Sequence, residues 1–183
     1  MPVSHTPPIL GFVAYSGTGK TTLLTRVIPL LRKAGLRIAL IKHAHHRFDI
    51  DTPGKDSHRL RQAGAEQVMI ASRGRWVWMA ETPDQDEARL DELLERLGQV
   101  DVDLILIEGF KHERYPKIEL HRVELNNPRL YPEDPDIIAV ACDGPLLPVT
   151  QLPLLDINDP EAIAAFIIER LRGELGNQPE AVA

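Results

Sequence analysis

The stretch Ala14-Tyr-Ser-Gly-Thr-Gly-Lys-Thr-Thr22 constrains this chain more than any other. It follows a β-like run, Ile9-Leu-Gly-Phe-Val13, and opens a helical pattern from Thr22 to Leu31. Strand, glycine-rich turn, Gly-Lys-Thr and helix in that order are the setting of a phosphate-binding loop. Gly17 and Gly19 let the backbone turn so that successive N–H groups point inward at phosphate oxygens. Ser16, Gly17, Thr18, Gly19, Lys20, Thr21 and Thr22 are thereby the expected phosphate-binding residues. The helix adds its unpaired N–H groups and the positive end of its dipole. Lys20 is expected to reach the β- and γ-phosphates, and Thr21 to place its hydroxyl on Mg²⁺. Ala14 stands where the general motif has its first glycine, at the end of the strand, where a small residue suffices.

A second landmark lies downstream. Leu104 to Ile107 form a buried-strand run that ends in Glu108-Gly109. In phosphate-loop proteins such a strand brings a carboxylate to the metal or its water, the role expected of Glu108. Asp103, at the opposite end of that strand, is expected to be structural. Leu36 to Ile41 is another continuous apolar run, ending at Lys42-His43. It completes a βαβ unit whose crossover is expected to be right-handed, with ligands beyond the carboxyl ends of the strands. Lys42 and His43 therefore join the candidate ligand-binding residues. The polar segment from Lys42 to Asp56 occupies the place of a mobile switch, and Asp49 and Asp51 are its candidate metal or water-positioning carboxylates. The catalytic candidates are Lys20, Asp49 and Glu108; the metal candidates are Thr21, Asp49 and Glu108. His43, His45 and His46 are close in sequence, but without cysteines or a second ligand pair they read as anion contacts or exposed residues rather than a zinc site.

The first helix is expected over Lys20 to Lys33, closed by Gly35, with a kink or early break at Pro29. Ser57 to Gly64 reads as a short helix, capped by Asp56 or Ser57. Gln67–Ala71 and Arg75–Ala80 read as an antiparallel hairpin, with Trp76 and Trp78 sharing one face and assigned to core packing. A helix is expected from Thr82 to about Leu97-Gly98. Lys117 to His121 alternates like a half-exposed strand. Ile137 to Ala141 is a buried strand, and Asp143 just beyond it either accepts from guanine N1 and N2 or caps a turn. The last helix is expected from Glu161 to about Leu171, capped by Asn158 or Asp159, and residues 173–183 are expected to be a frayed tail.

At 183 residues the chain fits one domain, residues 1–172, able to bury about 70% of its unfolded surface. The single Cys142 rules out an intramolecular disulfide and fits a reducing cytoplasm. No apolar run approaches the ~18 residues of a membrane span, and the N-terminus lacks a signal-peptide pattern. A net charge of −6 without a dense Lys/Arg stripe argues against nucleic-acid binding. The expected class is α/β: a P-loop NTPase three-layer sandwich with a mostly parallel sheet, an antiparallel hairpin and helices on both faces.

With these landmarks placed, the sequence closely resembles the MobB family of molybdopterin-guanine dinucleotide synthesis. The resemblance rests on the phosphate loop, on Leu40-Ile-Lys-His-Ala-His-His46, and on Asp51-Thr-Pro-Gly-Lys-Asp-Ser57. It continues through Glu81-Thr-Pro-Asp84, Asp103-Leu-Ile-Leu-Ile-Glu-Gly-Phe-Lys-His-Glu113 and Leu155-Asp-Ile-Asn-Asp159. It implies a cytoplasmic homodimer that binds GTP with Mg²⁺, hydrolyses it slowly, and assists the molybdenum cofactor guanylyltransferase that attaches GMP to molybdopterin. Direct contact with molybdopterin or other cofactor-biosynthesis proteins is a further implication. From the residues alone, an ATP-dependent small-molecule kinase or ligase is the alternative, because the loop grips phosphates common to GTP and ATP. A metal-delivery protein built on the His43–His46 cluster is a third reading.

Overall fold

The computed structural model describes residues 7–44, 48–82, 87–97, 101–146 and 150–176. These fall into two compact units: Met1–His43 with Leu90–Ala183, and Ala44–Arg89.

The larger unit is built on six parallel strands. They are β1 (Ile9–Val13), β2 (Ile38–Lys42), β5 (Leu104–Glu108), β6 (Lys117–His121), β7 (Ile137–Cys142) and β8 (Leu154–Asp156), in spatial order β2-β5-β1-β6-β7-β8. Period-two alternation divides their side chains between two faces. Leu10, Phe12, Leu104, Leu106, Ile118, Leu120, Ala139 and Ala141 pack with α1 (Lys20–Lys33) and α4 (Pro160–Gly176). Ile105 and Ile107 turn the other way and cluster with Leu90 of α3 (Leu90–Leu97), together with Phe110 and Tyr115. Helices on both faces of a parallel sheet make the expected three-layer sandwich.

Local chemistry explains where the helices stop and start. In α1, Leu23, Leu24, Val27 and Leu31 form the buried stripe of an amphipathic helix. The helix continues through Pro29 to Lys33 rather than breaking, because its apolar stripe on both sides of the proline stays buried. It ends in a Schellman closure: Leu36 N–H donates to the Leu31 carbonyl, Gly35 N–H to the Arg32 carbonyl, and Gly35 takes φ +93°. In α4, the Asp159 carboxylate accepts from Ala162 N–H, so Asp159 rather than Asn158 caps the helix, with Pro160 at its first position. This helix runs to Gly176, past the expected Leu171.

Other expectations are corrected. β6 is buried along its whole length instead of half-exposed, because it lies between β1 and β7. Lys117 is tolerated there because its ammonium donates to the Glu113 carbonyl and to Asp134, each at 2.6 Å. Glu119 accepts from Leu130 and Tyr131 N–H at 2.9 and 2.8 Å, which fastens the loop before β7. Helix α3 begins at Leu90, not Thr82; the apolar residues that can be buried, Leu90, Leu93, Leu94 and Leu97, start there. Residues 83–86 and Gly98 lie outside the described residues. β8 adds an edge strand outside the expected elements. Asp103 is structural as expected, accepting from Arg37 N–H at 2.7 Å and from its guanidinium.

The smaller unit contains α2 (Asp56–Gln62) and the antiparallel hairpin β3 (Gln67–Ala71) and β4 (Trp76–Ala80). Lys55, not Asp56 or Ser57, occupies the α2 cap position, without a side-chain capping bond. Trp76 is 62% exposed and Trp78 36% exposed, so they are not core residues. A two-stranded ribbon has too few layers to cover both of its faces. Among the described residues, no helix is long and apolar enough to cross a membrane.

Candidate functional site

β1 is the point at which the sheet changes direction: the chain leaves it through α1 to reach β2 on one side, while β6 to β8 extend the other side. Crevices at such switch points, beyond the carboxyl ends of the strands, are where α/β sheets bind ligands. Residues 14–19 follow β1 there. Gly17 and Gly19 take φ +80° and +103°, a backbone region that side chains with Cβ rarely adopt. Thr18 is buried, and its hydroxyl donates to the Tyr15 carbonyl at 2.9 Å. The loop thus carries its own tie across the turn, with Ser16 and Gly17 exposed at its tip. Thr22, in the first turn of α1, is also exposed.

Lys20 donates to the carbonyls of Ala14 and Tyr15 at 3.0 and 3.2 Å. Partial burial lowers its pKa from the ordinary lysine value; Glu108 opposes the shift, and the charges of Lys42 and Lys111 add to it. Cations on three separate segments therefore converge on this crevice, in a chain that is acidic overall.

Glu108 is 6% exposed and is placed by register. β5 lies between β1 and β2, pairing Glu108 with Phe12 on one side and Lys42 on the other. The carboxylate accepts from the Thr21 hydroxyl at 2.8 Å and from Lys42 Nζ at 3.0 Å; Lys42 Nζ also lies 3.0 Å from Thr21 Oγ1. The structure thus brings Lys20, Thr21, Lys42 and Glu108 into one site. A hydroxyl and a carboxylate are hard oxygen donors, and one or two of these with phosphate oxygens and water suit Mg²⁺. The residues present fit that ion, with Thr21 and Glu108 as the protein ligands.

The turn after Glu108 is sterically defined. Gly109 takes φ +101°, and a Cβ on it would meet the His43 Cβ at 2.8 Å. Phe110 takes φ +51° and stacks on His43, with ring centroids 4.4 Å apart. Tyr115 donates its hydroxyl to the Gly109 and Phe110 carbonyls, and burial raises its pKa. His43 is therefore placed as part of the wall behind Glu108. Lys111 extends over the Tyr15 ring, 5.0 Å from its centroid, at the edge of the phosphate loop.

Asp143, at the end of β7, accepts from Val123 N–H at 2.9 Å and from Arg122 at 3.0 Å. These bonds, the backbone one first, hold its pKa below the ordinary value. Arg122 is a site residue that sequence reasoning missed. Its Nε donates to the Thr18 carbonyl at 3.2 Å, linking the phosphate loop to Asp143. Its position one residue beyond β6, at the ligand end of the sheet, was the available signal.

Asp49 belongs to the smaller unit. There it accepts from Arg61 at 2.9 and 3.2 Å and from Asp51 N–H at 3.0 Å, and that backbone bond leads the causes of its lowered pKa. Arg61 also donates to Glu81 at 2.5 Å, while Asp51 accepts from the Ser57 hydroxyl at 2.7 Å. Among the described residues no three His, Cys, Asp or Glu side chains gather as a metal cluster; His45 and His46 lie outside the described residues.

A parallel sheet with a glycine-rich loop, lysine and hydroxyl at the start of the helix after β1 defines the class, a P-loop α/β protein. Residues 9–143 match the family model of molybdopterin guanine dinucleotide synthesis protein B, MobB. The chain is 49% identical over 170 residues to the molybdopterin-guanine dinucleotide biosynthesis adapter protein of Escherichia coli (strain K12), covering 92% of this chain and 96% of that one. It is 46% identical over 161 residues to the protein of the same name from Haemophilus influenzae, covering 87% of each. A crystal structure of molybdopterin-guanine biosynthesis protein B superimposes with a TM-score of 0.71 at 32% identity, over 90% of this chain and 99% of that one. The chain belongs to the MobB family.

Proposed function

We propose that this protein is a GTP-binding adapter of molybdopterin-guanine dinucleotide biosynthesis, acting in the cytoplasm beside the guanylyltransferase that attaches GMP to molybdopterin. The adapter role is supported by the names of relatives that match over nearly their whole length. The observation that carries nucleotide binding is the meeting of Lys20, Thr21 and Glu108 beside the phosphate loop, at the carboxyl end of the sheet.

In this reading the loop amides bind the phosphates, and Lys20 moves from the Ala14 and Tyr15 carbonyls onto the β- and γ-phosphates. Thr21 and Glu108 hold Mg²⁺, which when bound neutralises charge on the phosphate oxygens. Glu108 keeps its second oxygen available to orient a water. Lys42 and His43 line the γ-phosphate side, and Asp143 stands at the base end. Turnover is slow in this reading, because Arg122 is engaged by Thr18 and Asp143 rather than held ready for the phosphates. The protein is a homodimer, an assignment supported by the exposed apolar residues of its hairpin, Met69, Ile70 and Trp76. Sedimentation velocity tests that assignment.

The deciding experiment is calorimetric titration with Mg-GTP and Mg-ATP, using Lys20→Ala as control. Binding of GTP well above ATP, lost in the variant, is expected. Preference for ATP would favour the kinase or ligase reading instead.

A further inference from the structure

Within the site, Lys42 has a position that phosphate binding alone does not explain. Its ammonium lies 3.0 Å from Thr21 Oγ1 and 3.0 Å from Glu108 Oε1, the same two oxygens that fit a divalent cation. Those oxygens are themselves 2.8 Å apart. A lysine ammonium and a divalent ion cannot share so small a donor pair: both need the same lone pairs, and like charges at that separation repel. The pairing is fixed by the fold, since Lys42 and Glu108 are direct register partners on β2 and β5. Glu108 is nearly buried, whereas the Lys42 side chain is half exposed. The carboxylate is thus held rigidly while the cation beside it has room to swing away.

We infer that Lys42 is a displaceable internal counter-ion of the metal site. It neutralises Glu108 and competes with the divalent cation for the Thr21/Glu108 pair. Metal binding expels its ammonium, which then becomes available to an anion on the open side of the crevice. The inference rests on the assignment of Thr21 and Glu108 as metal ligands made above. It makes Lys42 a sensor of metal loading, a role distinct from that of Lys20, whose partners are loop carbonyls.

The test uses Mn²⁺ as the probe, with its binding to the nucleotide-free full-length protein counted by electron paramagnetic resonance. Lys42→Met is expected to bind Mn²⁺ at least about tenfold more tightly than the wild type, the factor that corresponds to ~1.4 kcal/mol. Lys42→Arg, which restores a cation, should return affinity toward the wild-type value. If Lys42 only fastens β2 to β5, Lys42→Met will melt earlier and bind Mn²⁺ no better, and the inference is overturned. Equal or weaker Mn²⁺ binding by Lys42→Met overturns it even where GTP titrations succeed. Failure of the wild type to bind any guanine nucleotide would instead strike the functional reading above.

Discussion

Gly11 sits in the middle of β1, where a strand would ordinarily favour a β-branched residue. A Cβ at this position would lie 2.1 Å from Tyr115 Cε2 and 2.9 Å from Cζ. The ring cannot yield cheaply, because it is 3% exposed and its hydroxyl is bonded to the Gly109 and Phe110 carbonyls. Gly11→Ala therefore forces either a shift of β1 or ejection of the ring. Overpacking of this kind costs about 1–3 kcal/mol. Losing the hydroxyl's bonds adds roughly 0.5–1.5 kcal/mol each. The smaller unfolded-state entropy of alanine returns only about 0.4–1 kcal/mol. The net expectation is a destabilisation of about 3 kcal/mol, a large share of the ~5–15 kcal/mol that stabilises a domain. Urea unfolding read by circular dichroism measures it. Tyr115→Phe, which removes the bonds and keeps the ring, should cost about 1–2 kcal/mol. In a Tyr115→Ala background, adding Gly11→Ala should cost less than about 1 kcal/mol, because the clash has no partner. Equal costs for Gly11→Ala with and without the ring would refute the reasoning.

Two further outcomes follow from Asp143 and Arg122, just beyond the ends of β7 and β6. Asp143 titrates below the ordinary 3.8 in the folded protein, so its contribution to stability is fully present above that value and is lost as pH falls through the folded pKa. Asp143→Asn should thus lower stability at pH 7 and flatten its fall on acidification, which urea unfolding at a series of pH values measures; an unchanged acid limb would count against this. Arg122→Ala removes the bond to the Thr18 carbonyl and should weaken Mg-GTP binding about tenfold, in line with the lower end of ~1.5–3 kcal/mol for a charge-assisted bond at a partly exposed site. Unchanged affinity in calorimetry would show that the loop holds its shape without it.

The candidate site was legible wherever function resides in a contiguous stretch. The loop from Ala14 to Thr22, the helix after it, and the run ending in Glu108 each carry their chemistry in adjacent residues. The Thr21–Glu108 bond was readable too, since it follows from combining two motifs. The contact of Lys42 with Glu108 was not, because it depends on the register between β2 and β5, which no local pattern encodes. Arg122 was missed for a related reason: its partners Thr18, Asp143 and Asn158 come from three other segments. The tryptophans show the limit of hydrophobicity as a guide. Trp76 and Trp78 were read as core, but their position on a two-stranded ribbon leaves them exposed.

β6 shows most clearly why residue type alone does not identify a site in this fold. Lys117 and Glu119 are more deeply buried than Lys42 and Glu108, and by composition they are the same pair. Lys117 N–H donates to the Asp136 carbonyl, and its ammonium is satisfied by the Glu113 carbonyl and Asp134; Glu119 is satisfied by two loop amides. Their polar capacity is directed at the chain itself, and burial raises the Glu119 pKa where a site for cations would lower it. Glu108 instead ends its strand beside a loop of amides and a half-exposed lysine, with partners that an incoming ligand can replace. In a parallel sheet the carboxyl edge is where side chains meet neither a following strand residue nor a covering helix, so charge placed there stays exchangeable. The same charge one or two residues earlier must be matched within the protein, because burying it unmatched costs several kcal/mol. Distance from the carboxyl edge, more than the presence of Lys or Glu, therefore separates the groups that bind from the groups that fasten.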